Sequence, residues 1–481
     1  MDVKLPTLKK IDNIDLKTHR KKKKILLLSD DLRMSSGVGT MSREIVFGTV
    51  DRYDWVQIGG AIKHPEEGKI AVLDKDVREE TGVFDASVKI YPISGYGNPD
   101  MIRLMFEKEK PDAIMIYTDP RFWVWLFQME HEIRQHIPIM YYNIWDDLPY
   151  PMWNQPFYES CDLMMNISKQ TVNIVKNVRK NKPVTETDNT YIPHGINEKY
   201  FFPIGEKDRV NQKNMSDLKN TILHGNDFPF IVLYNNRNIR RKLPGDVIMA
   251  YKKLADKVGH ENVALIMHTA PVDDNGTDLP EVALNMIGKD ANVYFSNQKL
   301  DNLGMNYLYN LADVTINIAS NEGFGLATCE SLMSGTPIVV NVTGGLQDQC
   351  GFKLKDKLLT YQDYYEIGTL HDRDKWMNNE DLTWGEWVKP IWPACRSLQG
   401  SPQTPYIYDD RPRWEDAGDA LIEWYNTPKE ERIEAGKKGN EFVHLPETMM
   451  TAKNMCDRFV EDIDRCLDEF TPRKRYTLYR A

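Results

Sequence analysis

The chain has 481 residues, 27% of them charged and 41% apolar, with a formal net charge of −10. Such a length implies two or three domains, and the apolar content excludes wholesale disorder and fibrous architectures. The charge is uneven: nine Lys/Arg against three Asp give residues 1–24 a charge of +6 and leave −16 for the rest. The body is therefore no generic polyanion binder. The arm ending in HRKKKK (19–24) reads either as a solvated basic leader, residues 1–23, or as a contact for nucleic acid or anionic lipid. No apolar run reaches the ~20 residues needed to cross a bilayer. The N-terminus lacks a hydrophobic signal core, and the six cysteines show neither CxxC nor His-rich spacing. The expected setting is a reducing cytoplasm, with no transmembrane segment, disulfide framework or zinc site.

In chain order, KILLLSDD (24–31) reads as a buried parallel strand, followed by a glycine-bearing loop that opens a helix at 35–50. Strands are expected at 55–62, 113–119, 137–147 and 162–168, with helical stretches such as 99–110 between them. The polar stretch 205–220 reads as a linker. A second series of strands is expected at 230–236, 262–269, 292–297, 314–320 and 336–342. Two alternating series argue for an α/β architecture of two doubly wound domains, whose ligands sit at the carboxyl ends of the strands. Residues 352–412, rich in Trp, Tyr, Pro and Asp, read as an irregular insertion; the rest is helical, with a last helix near 447–469.

The chemistry concentrates in Asn321-Glu322-Gly323-Phe324-Gly325-Leu326-Ala327-Thr328-Cys329-Glu330, between a strand and a helix. The amides of Phe324, Gly325 and Leu326 would project from a helix N-terminus and form an anion site. Gly323 and Gly325 let a ligand approach the backbone. Glu322 and Glu330, eight apart, suit one acid for a sugar hydroxyl and one for a ribose diol. After another strand come Arg237 and Lys242, cations able to stabilise a departing diphosphate. Gly37 and Gly39, in SSGVGT (35–40), form a near-match to a dinucleotide fingerprint. A nicotinamide site would want an acid after the second strand, but that strand runs into Ala61-Ile62-Lys63-His64, so the dehydrogenase reading is set aside. Asp119, Asp146 and Asp147 stand at strand ends of the first domain, as catalytic or acceptor-side groups or as caps and salt bridges.

The decapeptide resembles the E-x7-E signature of retaining glycosyltransferases of the GT-B fold, the family 4 type. Residues 233–254 resemble the same family's strand, Arg-x4-Lys and helix, and IPHGIN (192–197) resembles its interdomain IPNGVD turn. The resemblance implies two Rossmann-like domains facing a cleft: residues 24–204 on the acceptor side and 205–446 holding a nucleotide sugar. The segment 447–481 would pack back on the first domain. It also implies metal-free, retaining transfer of a hexose or pentose to a hydroxyl acceptor, with no cofactor beyond the nucleotide-diphosphate sugar. Glu330 would hold the ribose and Glu322 the sugar. Arg237, Lys242 and the loop amides of Gly37 and Gly39 would bind the diphosphate, and the phosphate itself would take the acceptor proton. Two departures stand out. Leu243-Pro244-Gly245 replaces the glycine that usually follows the lysine, and no histidine stands at the strand end where many members carry one. His194, in the family's asparagine position, reads as a loop residue. A saccharide or other small hydroxyl acceptor is favoured over a hydroxylated base of DNA. Trp376, Trp384, Trp387 and Trp392 would stack on an acceptor or be buried in a flap. A sugar-nucleotide epimerase and a non-catalytic sugar-nucleotide-binding module are the rival classes, and nothing in the sequence fixes the oligomeric state.

Overall fold

The computed structural model describes residues 22–61, 63–289, 291–363 and 376–474. The first domain is built on β1 (Lys23–Asp30), β2 (Tyr53–Ala61), β3 (Ala71–Val72), β4 (Val88–Ser94), β5 (Ala113–Tyr117), β6 (Ile139–Asn143), β7 (Leu163–Asn166) and β8 (Asn189–Tyr191). They lie in the order β3-β4-β2-β1-β5-β6-β7-β8, parallel except for the edge strand β3. As the unbroken run ILLL predicts, β1 is central and buried on both faces, with Ile25 opposite Trp55 on one side and Ala113 on the other.

The second domain carries β9 (Phe230–Asn235), β10 (Val263–His268), β11 (Val293–Phe295), β12 (Val314–Asn317) and β13 (Ile338–Asn341). Beyond them lie a small sheet of β14 (Lys353–Leu354), β15 (Lys357–Leu358) and β16 (Leu382–Thr383), then β17 (Val388–Ile391) and a hairpin, β18 (Cys395–Ser401) and β19 (Thr404–Arg411). The main sheet runs β11-β10-β9-β12-β13-β17, parallel throughout. In both sheets the strand order reverses beside a central strand, between β1 and β5 and between β9 and β12. Open α/β sheets bind ligands at such switch points.

Two sequence expectations change, and one open alternative closes. The stretch 205–220 is no linker: Arg209–Ile222 is a helix, capped by Asp208, which accepts the Asn211 amide at 3.1 Å. It packs beside helix Asn302–Leu311, with Asn211 and Asn214 both bonded to Tyr307. The insertion is regular in good part, supplying the sixth strand of the main sheet and a long hairpin. Its tryptophans are mostly core, with Trp376, Trp387 and Trp392 buried and only Trp384 substantially exposed. They form no stacking platform.

The last helix, Ala452–Glu469, lies on the first domain. Its buried stripe of Met455, Cys456, Phe459 and Ile463 faces inward, and Phe459 meets Tyr142 edge-on at 4.8 Å. Asp464 bonds the Tyr53 hydroxyl and pairs with Arg52, both at 2.7 Å. The described part of the basic arm is committed to local acids: Lys22 to Asp85, Lys23 to Asp112 and Lys24 to Glu109. Residues 1–21 and 475–481 lie outside the described residues. No helix among the described residues is long and apolar enough to cross a membrane.

Candidate functional site

Both switch points open into one cleft of about 980 Å³, lined from the two domains. On the second domain, the turn after β12 leads into helix Leu326–Met333. Gly325 adopts φ +91° there, a left-handed conformation that glycine takes without strain. No side chain caps this helix, so its first amides face the cleft unsatisfied by any cap. Gly323 sits where the domains come close, because a Cβ on it would lie 2.9 Å from Ile167 Cδ1. Phe324 is buried and packs its ring against His194 at 5.3 Å.

Glu322 lines the cleft in an ion pair with the buried amine of Lys242. Burial would raise the carboxyl, but Lys242 and then Arg241 outweigh it and hold Glu322 below the ordinary carboxylate range. Burial lowers the Lys242 amine, with Glu322 opposing. Glu330 is different. It accepts from the Tyr309 hydroxyl at 2.7 Å, itself bonded to Asn235 at 2.7 Å, yet burial lifts its pKa to about 7. Arg237 is exposed at the cleft wall and has no ion-pair partner among the described residues. The missing family glycine is also accounted for. Leu243, buried, takes φ +50° at the start of helix Pro244–Val258, so the left-handed turn is kept with a leucine in it.

The first domain brings together less of what its sequence suggests. Gly37 lines the cleft opposite Leu326, and a Cβ there would sit 3.7 Å from Leu326 Cδ1. Gly39 does not line it. Its amide donates to Ser36 Oγ at 3.0 Å, and a Cβ would lie 2.4 Å from the Met34 carbonyl oxygen, so this glycine serves the turn. Asp119 reaches the cleft wall, but it caps the short helix Pro120–Trp123 and is gripped by the Arg121 guanidinium through both carboxylate oxygens. That geometry gives Asp119 a structural task rather than a free catalytic carboxylate. Asp146 lines the cleft 3.8 Å from Arg241. Asp147 is buried against Asn321 of the other domain, and burial, then Asp146, raises it well above the ordinary range. Its bond to Asn321 links the two domains.

Two cleft residues escaped sequence reasoning. Arg241 donates to the Asn321 carbonyl at 2.7 Å and faces both Asp146 and Glu322; the run Arg240-Arg241-Lys242 was its only signal. His194 is a loop residue, as read, but a buried one that forms part of the cleft floor. The Tyr142 hydroxyl donates to the Ile192 carbonyl at 2.9 Å, so His194 Nδ1 donates to Tyr142 at 2.8 Å. Nε2 then accepts from Tyr117 at 3.3 Å. Burial depresses its pKa to about 3, keeping it neutral.

Residues 225–383 match a family model described as family 4 glycosyltransferase in conflict systems. Trehalose synthase from Rubrobacter xylanophilus is 35% identical over 112 residues, 22% of this chain and 26% of that protein. The match therefore spans about a quarter of that relative's length. Among solved structures, HepE from Anabaena, in complex with UDP and glucose, has a TM-score of 0.61 at 12% identity, covering 92% of this chain and 100% of the other. Sucrose-phosphate synthase from Thermosynechococcus elongatus has a TM-score of 0.61 at 14% identity, covering 93% and 100%. Fold likeness over nearly the whole chain and a family match in the domain that carries both glutamates agree with the cleft geometry: the chain has the GT-B glycosyltransferase fold, and its residues 225–383 are similar to family 4 glycosyltransferases.

Proposed function

We propose that the chain is a retaining glycosyltransferase that moves a hexose or pentose from a nucleotide-diphosphate sugar to a saccharide or other small hydroxyl acceptor, without a metal. The observation that carries this reading is the convergence, on one cleft wall, of an uncapped helix N-terminus, a free Arg237, an ion-paired Glu322 and a half-buried Glu330. Diphosphate would lie at the helix amides and Arg237, where dipole and guanidinium meet the charge that develops as the glycosidic bond breaks. Glu322, held ionised by Lys242 and Arg241, would accept from sugar hydroxyls. Glu330 would accept from the ribose. Two buried polar atoms on the same wall, Asn236 Nδ2 and Thr269 Oγ1, have no partner among the described residues and suit a polar ligand.

Lys242 lies behind Glu322 and acts by positioning it. The proton of the acceptor hydroxyl would pass to the departing phosphate, which requires no protein base, and the engagement of Asp119 with Arg121 fits that route. The test is a thermal-shift panel of UDP-, GDP- and ADP-sugars, followed by hydrolysis of the stabilising donor and the anomeric configuration of the transferred product. A binding module would show the shift without turnover. Inversion would refute the retaining mechanism. Activity lost to EDTA and restored by Mn²⁺ would refute metal independence.

A further inference from the structure

The hairpin β18–β19 belongs to the second domain by chain connectivity, yet much of what it touches lies in the first. The Tyr408 amide donates to the Leu148 carbonyl at 2.6 Å, and the Tyr406 hydroxyl donates to the Tyr150 carbonyl at 3.1 Å. The Tyr406 ring meets Trp153 edge-on at 4.5 Å, while Ile407 and Tyr408 pack against the first domain's core. Near the tip, the Arg121 guanidinium holds Thr404 Oγ1 and the Gln403 carbonyl. At the root, Arg396 pairs with Asp410 at 2.7 Å and Asn341 donates to the Asp410 carbonyl at 2.7 Å. The hairpin is thus fastened at both ends across the mouth between the domains.

Its inner side faces the cleft. Thr404, Ile407 and Asp409 line the cavity together with Trp145 and Asp146, and Asp409 accepts from Ser320 just ahead of Glu322. Pockets of ~300–1,000 Å³ hold one drug-sized ligand. A cleft of about 980 Å³ would have to seat both the nucleotide-diphosphate sugar and its acceptor, and the hairpin walls it where it bridges the two domains.

We infer that this hairpin is the acceptor-selecting wall: it admits a mono- or disaccharide-sized polyol and excludes oligosaccharide chains and duplex DNA. The inference rests on the glycosyltransferase reading. Selection works by collision rather than by a bond to the acceptor, a repulsive element of the kind that specificity often requires.

The experiment uses the full chain with the donor found in the nucleotide-sugar panel, and glucose, maltose, maltotriose and maltopentaose as acceptors. A duplex carrying hydroxymethylated cytosine is the nucleic-acid arm. Wild type should transfer to glucose or maltose at least about tenfold faster than to maltopentaose, within the usual range of steric discrimination. Replacing residues 399–406 by a Gly-Ser turn should abolish most of that preference while donor hydrolysis stays within about twofold, since the donor wall is untouched. A folded trimmed variant with the wild-type preference overturns the inference. So does wild-type transfer to maltopentaose or the duplex as fast as to glucose, or hydrolysis with no transfer to any of these sugars. Should the trimmed variant lose its donor-induced thermal shift, Thr404→Trp decides. It should slow maltose transfer more than glucose transfer, and equal slowing refutes the wall. A wild type that neither binds nor hydrolyses any donor removes the glycosyltransferase reading itself, whereas retained hydrolysis with unchanged selectivity removes the hairpin alone.

Discussion

The two walls of the cleft are built by the same topology but spend their charged residues differently. On the second domain, Arg237 has no ion-pair partner among the described residues, Glu330 has a pKa near 7 and the Leu326–Met333 helix leaves its amides open. On the first, Asp119 is locked to Arg121, Gly39 to its turn, and Asp147 to Asn321. One wall holds groups in reserve for a ligand; the other has used them to hold itself and the domain interface together. Polar side chains at strand ends are therefore not equivalent evidence of function. What distinguishes them is whether the fold already satisfies them.

The contrast is breakable by mutation. Lys242→Ala should be the most damaging change, leaving the part-buried Glu322 only Arg241 to offset its desolvation at a cost of about 3–5 kcal/mol, measurable by denaturant unfolding. Arg237→Ala should cut turnover by roughly 10²–10³ while stability stays within about 0.5 kcal/mol. Equal losses of both would show that Arg237 is structural after all. Glu330→Ala should weaken donor binding by about 1.5–3 kcal/mol, read by titration calorimetry.

The same residue carries a pH signature. Its pKa near 7 means that ribose hydroxyls meet a carboxylate only as pH rises through that value, so donor affinity should climb between pH 6 and 8 and flatten in Glu330→Gln. Because burial raises this acid above its ordinary value, the folded state binds the extra proton between about 4.5 and 7. Its contribution to stability therefore falls, not rises, as pH increases across that window. On the opposite wall, Asp119→Asn should weaken the cap and the Arg121 pair for about 1 kcal/mol of stability and leave turnover within a few-fold. A hundredfold loss of turnover there would erase the distinction between the walls.

What was legible in the sequence follows the same divide. The donor wall is written in short contiguous stretches, 233–254 and 321–330, where a strand, a turn and a helix start place every group. The sheets were legible from apolar runs such as ILLL and FIVLY. The acceptor side is assembled from distant segments, so its geometry had no local signature: His194 arrives from the interdomain turn and Thr404 from a hairpin over two hundred residues later. The hairpin strands themselves are mostly half-exposed and lack the alternation that marks a strand with one buried face. Helix Arg209–Ile222 was missed because it buries only Ile222 fully and its sequence is mostly polar. The two-residue and three-residue strands β3 and β8 fall below any periodicity.

The placement of helix Ala452–Glu469 has a consequence for how the protein is made. The first domain is synthesised early, yet the partner for its Tyr53 and Tyr142 surface is specified by codons some 260 residues after β8 ends at Tyr191. At about 5–20 residues per second, that surface waits roughly 13–52 s on the ribosome before its cover is translated. For that interval the nascent domain exposes an aromatic face to the cell, a demand on chaperones that moving the helix-coding segment to the front of the gene would shorten.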